Sequence, residues 1–544
     1  MTIDGGGRAR GASWKRYALA AIVLVAAILR VRGIGFGLPA MYDADEGIFI
    51  LQSMKLLRDH TLNPGWFGHP GTTTIYGLAL VEIGVVGLGI ATGRFADVEA
   101  FGRAFYADPG IVLLPGRYLM LAFALVSIVL TFATARRFGG WRVALLAAAL
   151  LAVDPLHVRY SQIIRTDMPA SMFVLASLYF AADIVRYGRA RDYALAGVML
   201  GFAIASKWPA GTAFFAIAGS AMGRALAHPD ERARHARLLP MAAAMTVAGA
   251  LIASPYLLLD YRTVLDNVVG EVQPHHLGAS GGGLFHNLGW YLGEPLRQAA
   301  GGWFGLALAL LGFVVGGRRS AAFRWTVLPF AAVFLVSIAA QSMIWARWAV
   351  PLLAVVAIAQ AMAVAAIVGW VRRRWAAPIL LVAALLPPFL ATQGEARERA
   401  TDTRGLASAW ARAHIPAGST VIVEHFAFDL LRQDWRLLYP LGEAGCVDVA
   451  ANLKAKIRYS TIEKWRGNRA IVDIGTIKPG TSGTCRADYA IFIDYDRYLA
   501  EAWRYPLEIA NYRAVVGRGR VVAVFRPEPG RIGGPIVRIA RLHP

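Results

Sequence analysis

Apolar residues run along most of this chain in blocks near the roughly 20 residues that cross a bilayer as a helix. Short polar turns, many carrying arginine, separate the blocks. Unbroken apolar runs of that length predict membrane-spanning helices rather than amphipathic elements of a soluble core. The blocks fall at 17–34, 118–135, 141–155, 168–185, 193–206, 209–222, 238–258, 303–315, 325–343, 348–371 and 378–391. They predict a polytopic α-helical membrane protein of about eleven spans. A further apolar stretch, 72–92, carries Glu82 at its middle. If it crossed, Arg136-Arg137 and most later arginine clusters would lie outside. If it lies along the outer face or re-enters, every later cluster lies inside, as cytoplasmic loops require. Residues 38–116 are therefore expected to form one external loop with juxtamembrane helices.

From about residue 393 the pattern changes. Residues 403–414 read as an amphipathic helix, and 420–424, 470–474 and 489–494 as buried strands. Residues 498–511 read as a helix and 520–525 as a late strand. Strands alternating with helices predict a small soluble α/β domain. The division expected is 1–392 for the membrane domain and 393–544 for an extracytoplasmic α/β domain.

Composition sharpens this picture. Mean hydropathy is +0.48, with 57% hydrophobic residues among 544, which excludes an ordinary soluble protein. The formal charge of +21 is dispersed in short basic clusters between apolar runs, so it argues for membrane lipid as neighbour and not for nucleic acid. Arg8, Arg10, Lys15 and Arg16 precede the first block. They predict a cytoplasmic N-terminus and an uncleaved first helix. Parity then places the C-terminal domain outside. Its two cysteines, Cys446 and Cys485, would pair as a structural disulfide there and stay reduced in a cytosol.

The unusual polar residues gather on the outer face. Three acids, Asp43, Asp45 and Glu46, open the first external loop, and His69-Pro70 closes it. Arg159, Arg165 and Asp167 occupy the next external segment, Lys207 tops a helix hairpin, and Arg347 stands at the mouth of a later span. His275 and His276 lie in a glycine-rich loop. Acids and cations massed at a membrane boundary are costly unless they serve water, an ion or a substrate. Together they suit group transfer from an anionic lipid: cations hold a departing phosphate, and a carboxylate takes a proton from an attacking hydroxyl. Plainer readings stand beside this one. Asp45-Glu46 fits a helix start, and His69 fits loop packing. Arg165 with Asp167 fits an ion pair. Lys207 fits snorkelling, Arg347 fits lipid headgroup contact, and the histidine pair fits a solvated loop.

Four stretches resemble a known family. They are Tyr42-Asp43-Ala44-Asp45-Glu46-Gly47, Gly68-His69-Pro70, the segment from Asp154-Pro155-Leu156-His157 through Arg165-Thr166-Asp167, and Gly201 to Lys207. Their order and spacing over the first 210 residues are similar to those of GT-C integral-membrane glycosyltransferases that use polyprenyl-phosphate sugars. The bacterial branch of protein O-mannosyltransferases and lipid A aminoarabinose transferases looks closest. Gly71 stands where that family usually has a second proline. The resemblance implies a GT-C fold in the bacterial cytoplasmic membrane and a polyprenyl-phosphate sugar donor. It implies an acceptor hydroxyl on an envelope lipid, glycan or protein, and inversion at the anomeric carbon. It implies Asp45 as base with Asp43 as rival, and Glu46 positioning the acceptor or binding a cation. Arg165, Lys207 and Arg347 would hold the donor phosphate, and Asp167 the sugar or acceptor hydroxyls. His69, Arg159, His275 and His276 complete the substrate-binding candidates. No cofactor is required; a divalent metal stays open, with Glu46 and His276 as candidates.

Two other classes compete: a flippase of lipid-linked sugars, whose charges would line a path across the bilayer, and a non-catalytic envelope assembly protein. The topology makes a prediction of its own. Peptide mass mapping without reductant should recover Cys446 linked to Cys485; free thiols on both would speak against an external C-terminal domain.

Overall fold

The computed structural model describes residues 5–270, 276–424, 428–454, 459–467 and 471–542. The chain opens with α1 (Gly5–Val31), α2 (Ala44–Arg58) and α3 (Thr72–Ala91). Among the described residues seven helices are long and apolar enough to cross a membrane. They are Thr72–Ala91, Gly110–Val153, Asp167–Tyr187, Pro229–Ala253, Ala321–Ala339, Ala346–Val371 and Ala376–Ala400. A pair bent by 104°, Leu284–Ala299 with Trp303–Arg319, brings the number to eight if it counts as one span. The eleven apolar blocks of the sequence thus exceed the helices of spanning length found among the described residues. The hairpin helices Ala190–Ser206 and Phe214–Ala227, with 17 and 14 residues, are shorter than a bilayer crossing needs. Helix α3 has the length and composition of a span, so its placement along the outer face remains a proposal.

Two local features bring distant polar residues together. The 44-residue helix Gly110–Val153 breaks at Gly140, where φ is 77°. Glycine adopts that backbone without a Cβ clash, and the chain turns back after Arg136-Arg137. There Arg137 donates to Asp183 at 2.7 Å, so this turn and the basic end of Asp167–Tyr187 share one side of the bundle. The second feature is close helix packing. A Cβ added at Gly197 would meet the Ala242 carbonyl oxygen at 2.4 Å, and one at Gly201 would meet that of Thr246 at 2.3 Å. Small residues four apart let backbones touch in this way. The Ala190–Ser206 helix is thereby seated against Arg232–Ala253, with Lys207 at its end.

The last apolar helix, Ala376–Ala400, continues unbroken past residue 393. The composition boundary thus falls inside a helix, and the C-terminal α/β part begins with Thr403–His414, capped by Asp402. It holds a six-stranded sheet with strands β1 (Thr420–Val423), β2 (Arg436–Pro440), β3 (Cys446–Asp448), β4 (Tyr489–Phe492), β5 (Gly519–Phe525) and β6 (Val537–Leu542). Their order is β3-β2-β1-β4-β6-β5. Strands β2, β1 and β4 are parallel, and the remaining pairings are antiparallel. A disulfide joins Cys446 to Cys485, with Cα atoms 5.0 Å apart. Residues 471–474, expected as strand, are irregular. The helix expected over 498–511 is two, Tyr495–Ala500 and Pro506–Val516, the second opening on Pro506, whose missing N–H costs nothing in a first turn.

The C-terminal ends of β1 and β4 meet over a buried carboxyl pair. Glu424 accepts from the amides of Ile474 and Ile493 at 3.1 and 2.7 Å and from the Tyr512 hydroxyl. Asp473 accepts from Tyr498 at 2.8 Å. Burial, then the neighbouring Asp473 and Asp494, push Glu424 up to about 8. Burial and Asp494 push Asp473 up to about 7. Both groups therefore hold protons in the folded domain that an unfolded chain releases above about pH 4. Stability should fall as pH rises from about 4 to 8 and level off above that. Thermal unfolding of the full chain, followed by hydrogen exchange of the β1 and β4 amides, checks this. Glu424→Gln should flatten the pH slope, and an unchanged slope would refute the assignment.

Candidate functional site

The site is built at helix ends. Asp43 is the N-cap of α2 and accepts from the Asp45 amide at 3.1 Å. Asp45 and Glu46 follow in the first turn, where the helix dipole favours acids. Successive helical residues point about 100° apart, and the two acids part company accordingly. Glu46 turns inward and is fully buried. It accepts from Arg117 Nε at 2.8 Å and NH2 at 2.6 Å, and from the Ile164 amide at 3.0 Å. Arg117 NH1 donates at 2.7 Å to the carbonyls of both Ile34 and Phe36. Glu46, expected to position the acceptor or bind a cation, is thus engaged by buried partners, away from the open face of Asp45.

Asp45 turns outward into a cluster of charges. Arg165 donates NH2 to both oxygens of Asp43 at 2.9 Å and NH1 to Asp45. The Asp45 side chain is 40% exposed, against 17% for Asp43. Burial pushes the Asp45 carboxyl up, but the charges of Arg165 and Arg347 outweigh it and hold it below the usual range. Asp45 is thus an ionised carboxylate with an open face. Next to it Lys207, buried at the hairpin tip, donates to Asp167 at 2.5 Å. The tip is tied to the loop before α3 and to its first turn through Gly71 N to Ser206 O at 3.2 Å and Thr73 Oγ1 to Ser206 Oγ at 2.6 Å. His69 lies in the same field. Burial, Lys207 and Arg347 push its imidazole down to about 4, so it is neutral at physiological pH.

Arg347 stands apart from these pairs. Its guanidinium lies 4.1 Å above the Trp345 ring. Among the described residues it makes no hydrogen bond or ion pair. Arg165 Nε is also buried without a partner. Two cations on one cluster thus retain unused donor capacity.

Other expected residues lie elsewhere. Arg159 pairs with Glu395 at 2.7 Å, and Gln298 and Arg399 join that carboxylate. This locks the segment before Arg165 to the last apolar helix. His276 rests against Trp345 with ring centres 5.0 Å apart, and His275 lies outside the described residues. Among the described residues no three His, Cys, Asp or Glu gather to hold a metal. The acids that would supply oxygens are engaged: Asp43 and Asp45 by Arg165, Glu46 by Arg117. Glu46 with His276 therefore does not fit a metal site.

Sequence reasoning missed Trp345, whose indole seats Arg347. It missed Tyr160, which lies within the fields of Arg159, Arg165 and Arg347. Tyr160 follows Arg159 within the segment already singled out, and Trp345 sits two residues before Arg347; neither adds a charge to the pattern.

Residues 110–258 match the family described as dolichyl-phosphate-mannose-protein mannosyltransferase. That stretch contains Arg165, Asp167 and Lys207. Curated protein sequences give no match. Among solved structures, ArnT from Cupriavidus metallidurans bound to undecaprenyl phosphate is similar over 98% of this chain and 99% of its own, at 14% identity and TM-score 0.53. The same enzyme in the apo state covers 98% and 100%, at 13% and 0.50. The archaeal oligosaccharyltransferase AglB from Archaeoglobus fulgidus, in complex with an inhibitory peptide and a dolichol-phosphate, covers 93% of this chain and 72% of its own, at 14% and 0.50. At these identities the structural likeness is one of fold, and it is the fold that the four motifs led us to expect.

The two neighbouring acids make opposite predictions. Glu46→Gln strands a buried guanidinium and should cost about 3–5 kcal/mol. Asp45→Asn, at a partly exposed pair, should cost about 1 kcal/mol or less. Thermal unfolding in detergent separates them; a stable but inactive Glu46→Gln protein would return Glu46 to the substrate side.

Proposed function

We propose, from the premise that the chain is a lipid-phosphate-sugar-dependent glycosyltransferase of the GT-C fold, that it transfers a sugar by single displacement with inversion. The donor is a polyprenyl-phosphate sugar. The acceptor is a hydroxyl of an envelope lipid, glycan or protein on the outer face of a bacterial cytoplasmic membrane. The N-terminus lies in the cytoplasm and the sheet domain outside.

One observation carries this reading: Arg347, a cation without a carboxylate partner, stands over the cluster that holds Arg165, Lys207 and the open Asp45. An arginine with unused donors is a ready partner for phosphate oxygens. Undecaprenyl phosphate bound to ArnT and a dolichol-phosphate in complex with AglB are ligands of the same class in proteins of the same fold. In the reaction the acceptor oxygen attacks the anomeric carbon. The bond from that carbon to the phosphate oxygen breaks, and the electron pair leaves with the phosphate. Arg347, Arg165 and Lys207 neutralise the growing charge, and Asp45 takes the hydroxyl proton. Arg165 links donor and base. A phosphate that draws the guanidinium away from Asp45 would raise the basicity of that carboxylate as the donor settles. Asp43 stays with Arg165 and the helix cap, which favours Asp45 as base. Asp167 holds Lys207 toward the cluster.

The gathering of charge at one face, through direct contacts between Arg165 and Asp45 and between Lys207 and Asp167, suits a transferase better than a path across the bilayer. The decisive comparison is wild type against Asp45→Asn, by mass spectrometry of co-purifying lipids together with a transfer assay. Transfer should drop by about 10²–10⁴-fold while a polyprenyl-phosphate sugar is retained, which would also name the sugar. Full transfer by Asp45→Asn would move the base to Asp43. Failure of both proteins to hold or bind any polyprenyl-phosphate sugar would end the reading.

A further inference from the structure

We propose that Glu501, in the soluble domain, is a positioning residue for Arg347. It acts through residues 277–281, by which the domain holds that arginine over the site. The proposal rests on Arg347 as a phosphate ligand.

Residues 277–281 belong to the loop between two membrane helices, yet the soluble domain grips them. Leu277 is 1% exposed and packs into the sheet domain's core with residues such as Ile422, Phe492 and Tyr498. Glu501 accepts from the Gly278 amide at 2.8 Å and from Ser280 Oγ at 2.9 Å. Arg504 donates to the same Ser280 Oγ at 2.5 Å. Arg497 donates to the Leu277 carbonyl at 2.7 Å and to Asp494 at 2.5 Å. One buried leucine and three charged side chains thus fix a short run of backbone.

The other edge of that run pairs with the approach to Arg347. Gly281 N donates to Ser342 O at 2.8 Å, and Ile344 N donates to Ala279 O at 2.9 Å. Ser280 and Met343 are bridged antiparallel. The contact is close: a Cβ at Gly281 would meet Ser342 O at 2.7 Å. Trp345 follows directly, its ring in contact with both His276 and the Arg347 guanidinium. Most cations of the cluster are placed by carboxylates: Arg165 by Asp43 and Asp45, Lys207 by Asp167. Arg347 has no such partner among the described residues. Its position follows from the Trp345 ring and from the backbone that carries both. A charged group that must meet a phosphate needs this kind of support, since a small misplacement weakens the contact steeply.

The test uses the full chain in detergent and undecaprenyl phosphate as probe. Glu501→Ala should speed hydrogen exchange at the Gly281 and Ile344 amides and weaken probe binding by about tenfold, with the thermal midpoint unchanged. Glu501→Gln, which keeps an oxygen acceptor at the same reach, should recover most of the affinity. Ser280→Ala should act in the same direction as Glu501→Ala and serves if that variant misfolds. In an Arg347→Ala background, Glu501→Ala should cause no further loss. Faster exchange with wild-type probe affinity would make Glu501 a tether only and overturn the proposal. If Arg347→Ala itself binds the probe as well as wild type, the phosphate role of Arg347 falls and the positioning role with it. If Arg347→Ala weakens binding but Glu501→Ala does not, the positioning role falls alone.

Discussion

The buried pairing of Arg117 with Glu46 is the constraint on which the charged cluster depends. One guanidinium and one carboxylate, both removed from water, are satisfied only while four segments stay in place. These are the exit from α1 at Ile34 and Phe36, the first turn of α2, the start of the Gly110–Val153 helix, and the backbone at Ile164. Charges buried this way are costly unless every hydrogen bond is made. Arg165 follows Ile164 by one residue, and Asp45 precedes Glu46 by one. The pairing that anchors the fold therefore also fixes the separation of the two groups proposed to meet donor and acceptor. Stability and chemistry are divided between adjacent acids, one turned into the protein and one turned out.

Much of this was legible because charge stands out against an apolar sequence. Asp43, Asp45, Arg165, Asp167, Lys207 and Arg347 were all singled out from position alone, and the structure brings all six to one cluster. Their pairing was not legible. Neighbourhood in sequence suggested Arg165 with Asp167, whereas Arg165 reaches back to Asp43 and Asp45, and Asp167 turns to Lys207. Such pairings depend on how helices cross, which spacing along one segment does not encode. Glu46 could not be told from its neighbours, because three acids in four positions look alike until the helical turn separates their directions. The soluble domain shows the same limit. The helix Thr403–His414 was read to the residue from its apolar stripe. Strands β2, β3 and β6 were missed, since short strands declare themselves only through partners far along the chain.

The sheet domain contributes more than a platform. Its core takes in Leu277 from a membrane-side loop, and its charged side chains hold that loop against the backbone leading to Arg347. Meanwhile Glu395, near the end of the last apolar helix, binds Arg159 in the segment that carries Arg165. The proposed phosphate ligands are thus approached from two sides, by the sheet domain and by the last apolar helix. The family match over residues 110–258 takes in neither side.

The helix Ala376–Ala400 passes from the membrane part into the soluble part without a break, and the carbonyl and side chain of Glu398 receive the amides of Gly533 and Gly530. A continuous helix transmits rotation as a shaft does. Each residue inserted into its final turns would swing everything beyond it by about 100° and raise it by about 1.5 Å. The joint therefore keeps phase. A domain borrowed from a relative would have to be spliced in register with the helix, and an insertion that does not restore the same facing would part Glu398 from Gly530 and Gly533.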